Sequence, residues 1–348
     1  MRLRFVTGAN RAFFPTLMVL LQSFAEQIDR RLLHVCDYGL APAQREFLRR
    51  RGLLLERSPT LGPLMSPLRE KAILHEYFGH SGLAATDVDA VVWLDGDLTI
   101  VECSLAEIEA VTAEMARTDV EIAACPQGTI AELVAALRRL GSAGAPFERA
   151  LTESAIDAAK PYYSTGIFVC RSPSFLERWC AVSRVAADQP VLDQNMFNIV
   201  AHRGMLPVLA LDIDIWQTQG DTLDRVRVTL EPSRQAGRMM LDGRSVKILH
   251  ATSSTVRHLF VGPASFSVGD LVLEGAFKLL RPQPLLELQL GLLGRFLIAH
   301  RAELLELGLC RPAATAIAGF SFRISPQRPA GAASAAKTGA RDVGTGTF

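Results

Sequence analysis

Two carboxylates stand one residue apart in the stretch VVWLDGDLTI, residues 91–100: Asp95 and Asp97, with Gly96 between them. That spacing lets both reach one hard divalent cation with no side chain in the way, and a metal so held commonly grips a diphosphate. The residues just ahead, Ala90 to Leu94, are all apolar, as in a strand buried on both faces. Carboxylates do not belong inside such a strand, so the pair must sit where it leaves the sheet. The bland alternative is a solvated turn with two exposed aspartates; the apolar LTIV that follows argues against it, because the pair interrupts a buried element.

The surrounding pattern says how the pair is positioned. LRFVT (3–7) reads as a first strand, Gly8 to Asn10 as a turn, and 12–27 as a helix by its apolar spacing. LLHVCDYG (32–39) is a second strand ending on Asp37, followed by a helix over 41–51 that stops at Gly52, and LLLERSP (53–59) is a third strand. A helix opens at Ser66 with Pro67 in its first turn and runs to about Gly79. Strands alternating with helices in this way predict a parallel sheet with crossover helices, and such sheets bind ligands beyond the carboxyl ends of their strands. Thr7, Gly8, Asp37, Asp95 and Asp97 all fall at those ends.

Further strands are predicted at 120–125, 162–170, 206–216 and 245–251, with helices around 104–116, 129–140, 174–187 and 193–202. A Leu-rich helical segment spans Leu285 to Leu309, and from about Pro326 the composition turns to Ala, Gly, Ser and Pro, which predicts a disordered tail over 326–348. The charges of 285–309, Arg295, His300, Arg301, Glu303 and Glu306, are few and mixed in sign. Packing on the core is the expectation for it, with peripheral membrane contact the alternative.

Composition narrows the class. The chain has 348 residues, 49% of them hydrophobic, and a net charge of +1 without a basic block. That suits a large packed enzyme and leaves no electrostatic footprint for nucleic acid. The 6 cysteines are scattered with no CxxC pair, as for free thiols in a reducing compartment. No uninterrupted apolar stretch reaches the roughly 18 residues of a membrane span. Arg11 followed by AFFPTLMVLLQSFA has the flank and the small-x-small end (Ser23, Ala25) of a signal peptide. The strand-like LRFVTG ahead of it fits an opening βα unit better, so a cytoplasmic enzyme is expected, with attachment to the inner face of the membrane the alternative. Oligomeric state is not legible.

Four stretches, in order, carry a resemblance. DVDAVVWLDGDLTIV (87–101) resembles the DxD segment of GT-A glycosyltransferases, in particular the family 8 group that uses UDP-sugars. YYSTGIFVCR (162–171) is similar to that family's strand lining the donor sugar, LDQNMFN (192–198) to its D-Q-x-x-x-N helix start, and VKILHAT (246–252) to the late strand whose histidine joins the DxD carboxylates on manganese. The resemblance covers residues 3–255. It implies a GT-A, Rossmann-like mixed, mostly parallel sheet flanked by helices over 1–260, with a nucleotide-binding half to about 125 and an acceptor-side half from 126. A helical extension over 261–325 would follow.

The resemblance also implies site residues. Asp95, Asp97 and His250 would hold Mn2+ or Mg2+; imidazole suits a transition ion, although a lone histidine is more often a satisfied core residue. Thr7 and Asp37 would meet the uridine, Gly8, Lys71, Asp95 and Gly96 the nucleotide, and Ser164, Thr165 and Gly166 the donor sugar. Asp193 and Gln194 would be the catalytic pair. Asp193 reads equally as a helix N-cap, and Lys71 as a solvated cation beside Glu70. Trp216 and Gln217 stand where the family has an aromatic residue and an Asn. After His250 the family's Gly and Lys-Pro-Trp give way to HATSSTVRHLFVGP, so Ser253, Ser254 or Arg257 are expected to take the phosphates.

The implied activity is transfer of a hexose from a UDP-sugar to a saccharide or lipid-linked acceptor, with retention. Gln194 is a poor nucleophile, which favours same-face attack on an oxocarbenium-like centre over a covalent intermediate. Residues 126–160 are the candidate acceptor region. Two rivals remain at this stage. One is a haloacid-dehalogenase-type phosphatase, reading VVWLDGDLT as its nucleophile strand and GDTLD (220–224) as a further acidic motif. The other is a sugar-nucleotide-binding protein without turnover.

Overall fold

The computed structural model describes residues 1–83, 87–139, 144–229, 238–252 and 256–324. The strands run β1 (Leu3–Ala9), β2 (Leu33–Asp37), β3 (Leu54–Leu55), β4 (Ala90–Leu94), β5 (Leu98–Ile100), β6 (Ile122–Thr129) and β7 (Pro161–Cys170). They continue as β8 (Val208–Ala210), β9 (Arg227–Thr229), β10 (Arg238–Leu241), β11 (Arg244–Ser245), β12 (Ile248–His250), β13 (Leu259–Leu280) and β14 (Arg311–Ile324).

Seven of them form one twisted layer in the order β3-β2-β1-β4-β7-β6-β8. All neighbours are parallel except β7, which runs antiparallel to both β4 and β6. The expected mixed, mostly parallel sheet is therefore present, with helices on both faces. Successive residues show why its strands read as unbroken apolar runs. Phe5, Val92 and Val169 point into one core and Val6, Trp93 and Phe168 into the other.

The first core is closed by the helix Phe14–Gln27, whose Leu17, Leu20 and Phe24 are fully buried. The stretch with signal-peptide character is thus the crossover helix of the first βα unit. On the other face Phe168, Trp179 and Phe197 meet edge to face or tilted, at centroid distances of 5.3–5.6 Å.

Several boundaries differ from the sequence reading. The third strand keeps only Leu54–Leu55, because Ser58 accepts from Thr60 N and opens a 3-10 turn at Pro59. The strand expected over 206–216 keeps only Val208–Ala210; Asp212 then accepts from Asp214 N and caps a one-turn helix, Ile213–Trp216. The helix expected from Ser66 to Gly79 is two helices, Pro67–Ala72 and Leu74–Ser81, parted at Ile73.

The largest difference lies after residue 258. The extension expected to be helical is so only in its middle, Gln283–Ala299 and Arg301–Glu306, and the long antiparallel strands β13 and β14 flank it. Ala264, Phe266 and Val268 alternate inward, a register shift follows at Gly269, and Leu271, Leu273, Phe277 and Leu279 are buried beyond it. The shift breaks the period of two that marks a strand. This hairpin and its helix share the core of the helix Phe14–Gln27. Leu290, Leu293 and Phe296 are buried there, and Leu285 in a smaller cluster with Leu249 and Leu280, so the Leu-rich segment is a core helix. No described helix is long and apolar enough to cross a membrane. The tail predicted disordered, 326–348, lies outside the described residues.

Candidate functional site

β4 delivers Asp95 and Asp97 to the carboxyl edge of the sheet, as the apolar run predicts. The chain then re-enters as β5, which pairs antiparallel with β12 so that His250 lies opposite Leu98. This register carries the imidazole to the carboxylates: His250 Nε2 is 3.2 Å from Asp97 Oδ1 and 3.7 Å from Asp95 Oδ2. One ligand atom from each of the three residues lies within 4.8 Å of the other two. Two carboxylate oxygens and an imidazole nitrogen converging in this way fit a divalent ion of the manganese or magnesium type.

The remaining carboxylate oxygens are engaged elsewhere. Asp95 Oδ1 accepts from Lys71 Nζ and from Trp93 Nε1, both at 2.7 Å. Asp97 Oδ2 accepts from Lys278 Nζ at 2.6 Å. Lys278 lies on β13, and its backbone N–H donates to Thr16 Oγ1 at 3.0 Å, which pins the strand to the helix Phe14–Gln27. Gln289 adds a second stitch, accepting from Leu280 N at 2.7 Å and donating to Thr99 Oγ1 on β5 at 2.9 Å.

Lys71 is buried, not solvated. It follows Ser66, whose hydroxyl accepts from Arg69 N, and the short helix so opened turns Lys71 toward the sheet edge and Glu70 the other way. Lys71 Nζ donates to Thr165 Oγ1 and lies against Asp193 Oδ2, both at 3.0 Å, while Thr165 Oγ1 donates to Asp193 Oδ2 at 2.9 Å. Asp193 is in the first turn of the helix Leu192–Arg203, and Val191 holds the N-cap position in a left-handed conformation. The capping role is thereby ruled out, and Asp193 faces Lys71. Gln194 Oε1 accepts from Thr165 N and its amide reaches Gln127 Oε1, both at 3.4 Å. Asn198 binds both the N–H and the carbonyl of Tyr163, at 2.8 Å each, fixing this helix to β7.

The electrostatics follow from burial and pairing. Burial pushes the Asp95 carboxyl up, Lys71 opposes that, and the net direction is upward with Asp97 adding to it. Burial acts the same way on Asp97, but Lys278 and His250 outweigh it and hold Asp97 well below the usual carboxylate range. Burial alone would lower the Lys71 ammonium; Asp193 and Asp95 reverse the sign and raise it.

Close packing dictates two glycines. A Cβ on Gly166 would lie 2.7 Å from His250 Cε1 and 2.8 Å from Gln217 Nε2, and one on Gly96 would lie 2.9 Å from the Gly8 carbonyl oxygen. Gly8 is itself covered by the Tyr38 ring. Gln217 donates to Ser164 Oγ at 2.7 Å. Four buried atoms here have no hydrogen-bond partner among the described residues: Thr7 Oγ1, Tyr38 Oη, Gln217 Oε1 and His250 Nδ1. Unsatisfied buried polar atoms are uncommon, and Thr7 Oγ1 lies by Gly96 and Gln217 by Gly166, as groups awaiting a ligand would.

Most of the residues singled out in the sequence are therefore brought together: Thr7, Gly8, Lys71, Asp95, Gly96, Asp97, Ser164, Thr165, Gly166, Asp193, Gln194 and His250. The carboxylate of Asp37 is engaged in its own turn. Its Oδ1 accepts from Gly39 N and Leu40 N at 3.0 and 2.8 Å, and its Oδ2 is 2.6 Å from Arg45 Nε. It lines a shallow pocket with Arg45, Arg57 and Ser58. Arg257 is spent on Asp221 and Asp224, at 2.9 and 2.7 Å, on the surface. That pairing also occupies the acidic motif of the phosphatase reading. Ser253 and Ser254 lie outside the described residues. Sequence reasoning missed Lys278, whose one signal is a charge inside the apolar GAFKLL. It also missed the Trp93 indole, which points back at Asp95.

No protein-family model matches the sequence, and no curated protein does. Among solved structures, the chain is similar to the bifunctional glycosyltransferase WbbM at 13% identity and a TM-score of 0.41, over 62% of this chain and 39% of that one. It thus spans less than half of that protein. It is also similar to mouse xyloside xylosyltransferase 1 at 13% identity and a TM-score of 0.40, covering 72% of this chain and 97% of that one. An active-site mutant of LgtC aligns at 15% identity and a TM-score of 0.40, over 71% of this chain and 86% of that one.

Proposed function

We propose that the protein is a metal-dependent glycosyltransferase of the GT-A type, similar to family 8, that moves a hexose from a UDP-sugar to a saccharide or lipid-linked acceptor with retention. The observation that carries this is the convergence of Asp95, Asp97 and His250, brought about by the β5–β12 register, at a strand edge where Thr7 and Gln217 present unsatisfied polar atoms.

In this reading Asp95, Asp97 and His250 would hold Mn2+ or Mg2+. The bound ion would supply Lewis-acid stabilisation to the departing diphosphate. Thr7 and Gly8 lie on the nucleotide side, with the Asp37 pocket beside them. Ser164, Thr165 and Gly166 line the sugar side, where any side chain on residue 166 would intrude on His250. Asp193 shares the Lys71 ammonium with Asp95, so it serves as an ion-paired acceptor for sugar hydroxyls and orients the ring. Gln194, an amide, contributes a hydrogen bond at the reacting face and no covalent bond. The acceptor would approach from the side of 126–160 and of the pocket formed by Asp214, Gln217, Gln219 and Thr222.

A thermal-shift titration with UDP, with and without Mn2+, tests the reading on the wild type and on Asp97→Ala and His250→Ala. Stabilisation by UDP that needs Mn2+ and disappears in both variants is the expected result, followed by transfer from one member of a UDP-sugar panel. Magnesium-dependent hydrolysis of a phosphate ester with no response to UDP would sink it.

A further inference from the structure

Asp95 and Asp97 divide their oxygens alike: one of each faces His250 Nε2, and the other carries a lysine. Each of the two carboxylates thus already carries an ammonium group, although Asp95 shares its lysine with Asp193. The two lysines are not equivalent. Lys71 is buried and touches Asp95, Asp193 and Thr165, so it has partners whatever happens to one of them. For Lys278, Asp97 is its one partner among the described residues, and 16% of its side chain is exposed. Its backbone is fixed by Thr16 and by the buried neighbours Phe277 and Leu279, and its ammonium is carried on a lysine's flexible four-carbon stem.

We propose that Lys278 is a built-in counter-ion that keeps the site's affinity for a divalent cation low until a diphosphate accepts its ammonium, making metal and nucleotide bind cooperatively. This rests on the metal-dependent reading of Asp95, Asp97 and His250. The physical basis is repulsion between an ammonium on Asp97 Oδ2 and any cation on Asp97 Oδ1, which share one small carboxylate. An incoming diphosphate relieves that repulsion. Linkage then requires that UDP tighten Mn2+ by the same factor by which Mn2+ tightens UDP.

The test is Mn2+ binding, followed by the electron paramagnetic resonance signal of the free ion, with and without UDP. The proteins are the wild type, Lys278→Met, Lys278→Gln and Lys278→Arg. Lys278→Gln keeps a hydrogen bond to Asp97 without the charge, so the outcome does not hang on the folding of the methionine variant. The expected result is that either neutral variant binds Mn2+ alone about tenfold more tightly than the wild type. The enhancement by UDP should shrink correspondingly, and Lys278→Arg should behave as the wild type does. Neutral variants that bind Mn2+ no more tightly than the wild type, in a site still lost on Asp97→Asn, would overturn the counter-ion role and leave the metal site standing. If no form binds Mn2+ with or without UDP, both the metal reading and this inference fall.

Discussion

Asp95 and Asp97 have a single glycine between them, yet different parts of the molecule hold them. Asp95 belongs to the N-terminal half of the sheet. Its hydrogen-bond partners are Trp93, two residues earlier on the same strand, and Lys71, on the short helix Pro67–Ala72, with His250 farther off than it is from Asp97. Asp97 belongs to the return path: its partners are His250 on β12 and Lys278 on the C-terminal hairpin, 181 residues away. The first carboxylate is set by local order and burial, the second by packing of a remote segment. The N-terminal half thus supplies the frame, and the extension sets the charge at its edge.

Breaking the local side should have the largest effect. Lys71→Met strands Asp95 and Asp193 in a buried place without their cation, and a loss of about 3–5 kcal/mol in urea denaturation is expected. A loss under about 1 kcal/mol would mean that water already solvates the site. Gly166→Ala comes next. The added methyl must displace His250 or Gln217, so a loss of about 1–3 kcal/mol is expected, together with loss of the Mn2+-dependent UDP response. Unchanged metal response in a folded variant would separate His250 from the site.

The remote side should yield more gently. Gln289→Leu removes the stitch from the extension to β5 and leaves Thr99 Oγ1 and Leu280 N unpaired, for an expected cost of about 1–2 kcal/mol. If UDP then stabilises the variant as well as the wild type, the extension need not be tightly docked to serve the site.

The smallest effect concerns pH. The Asp97 pKa is depressed in the folded state below its ordinary value near 3.9. Its contribution is therefore present above about pH 4 and is lost as pH falls through the folded value. The stability difference between wild type and Asp97→Asn should be level at neutral pH and shrink below about pH 4. A difference that stays level below about pH 4 would remove the depressed carboxyl from the account.

Much of the site was legible because it depends on short-range pattern. The apolar run Ala90–Leu94 places the acidic pair at a strand end, and the alternating elements before it place Thr7 and Gly8 beside that end. What the pattern missed has physical causes. A capping aspartate turned the expected strand at 206–216 into a helical turn after three residues. A register shift at Gly269 disguised β13, and with β13 went Lys278. Asp37 sits at the predicted strand end, but its own turn and Arg45 claim its oxygens, a competition between near neighbours that strand position alone does not reveal.

By itself, then, the sequence determined which residues end buried strands, because strand periodicity and burial are written in neighbouring residues. It therefore determined that two carboxylates with a glycine between them would stand at the edge of an α/β sheet. Only the tertiary structure decided what meets them there. The β5–β12 register aims His250, and the docking of the hairpin on the helix Phe14–Gln27 brings Lys278 onto Asp97. Both are contacts between distant segments, fixed by how the faces of those segments pack together, and no local spacing in the chain encodes them.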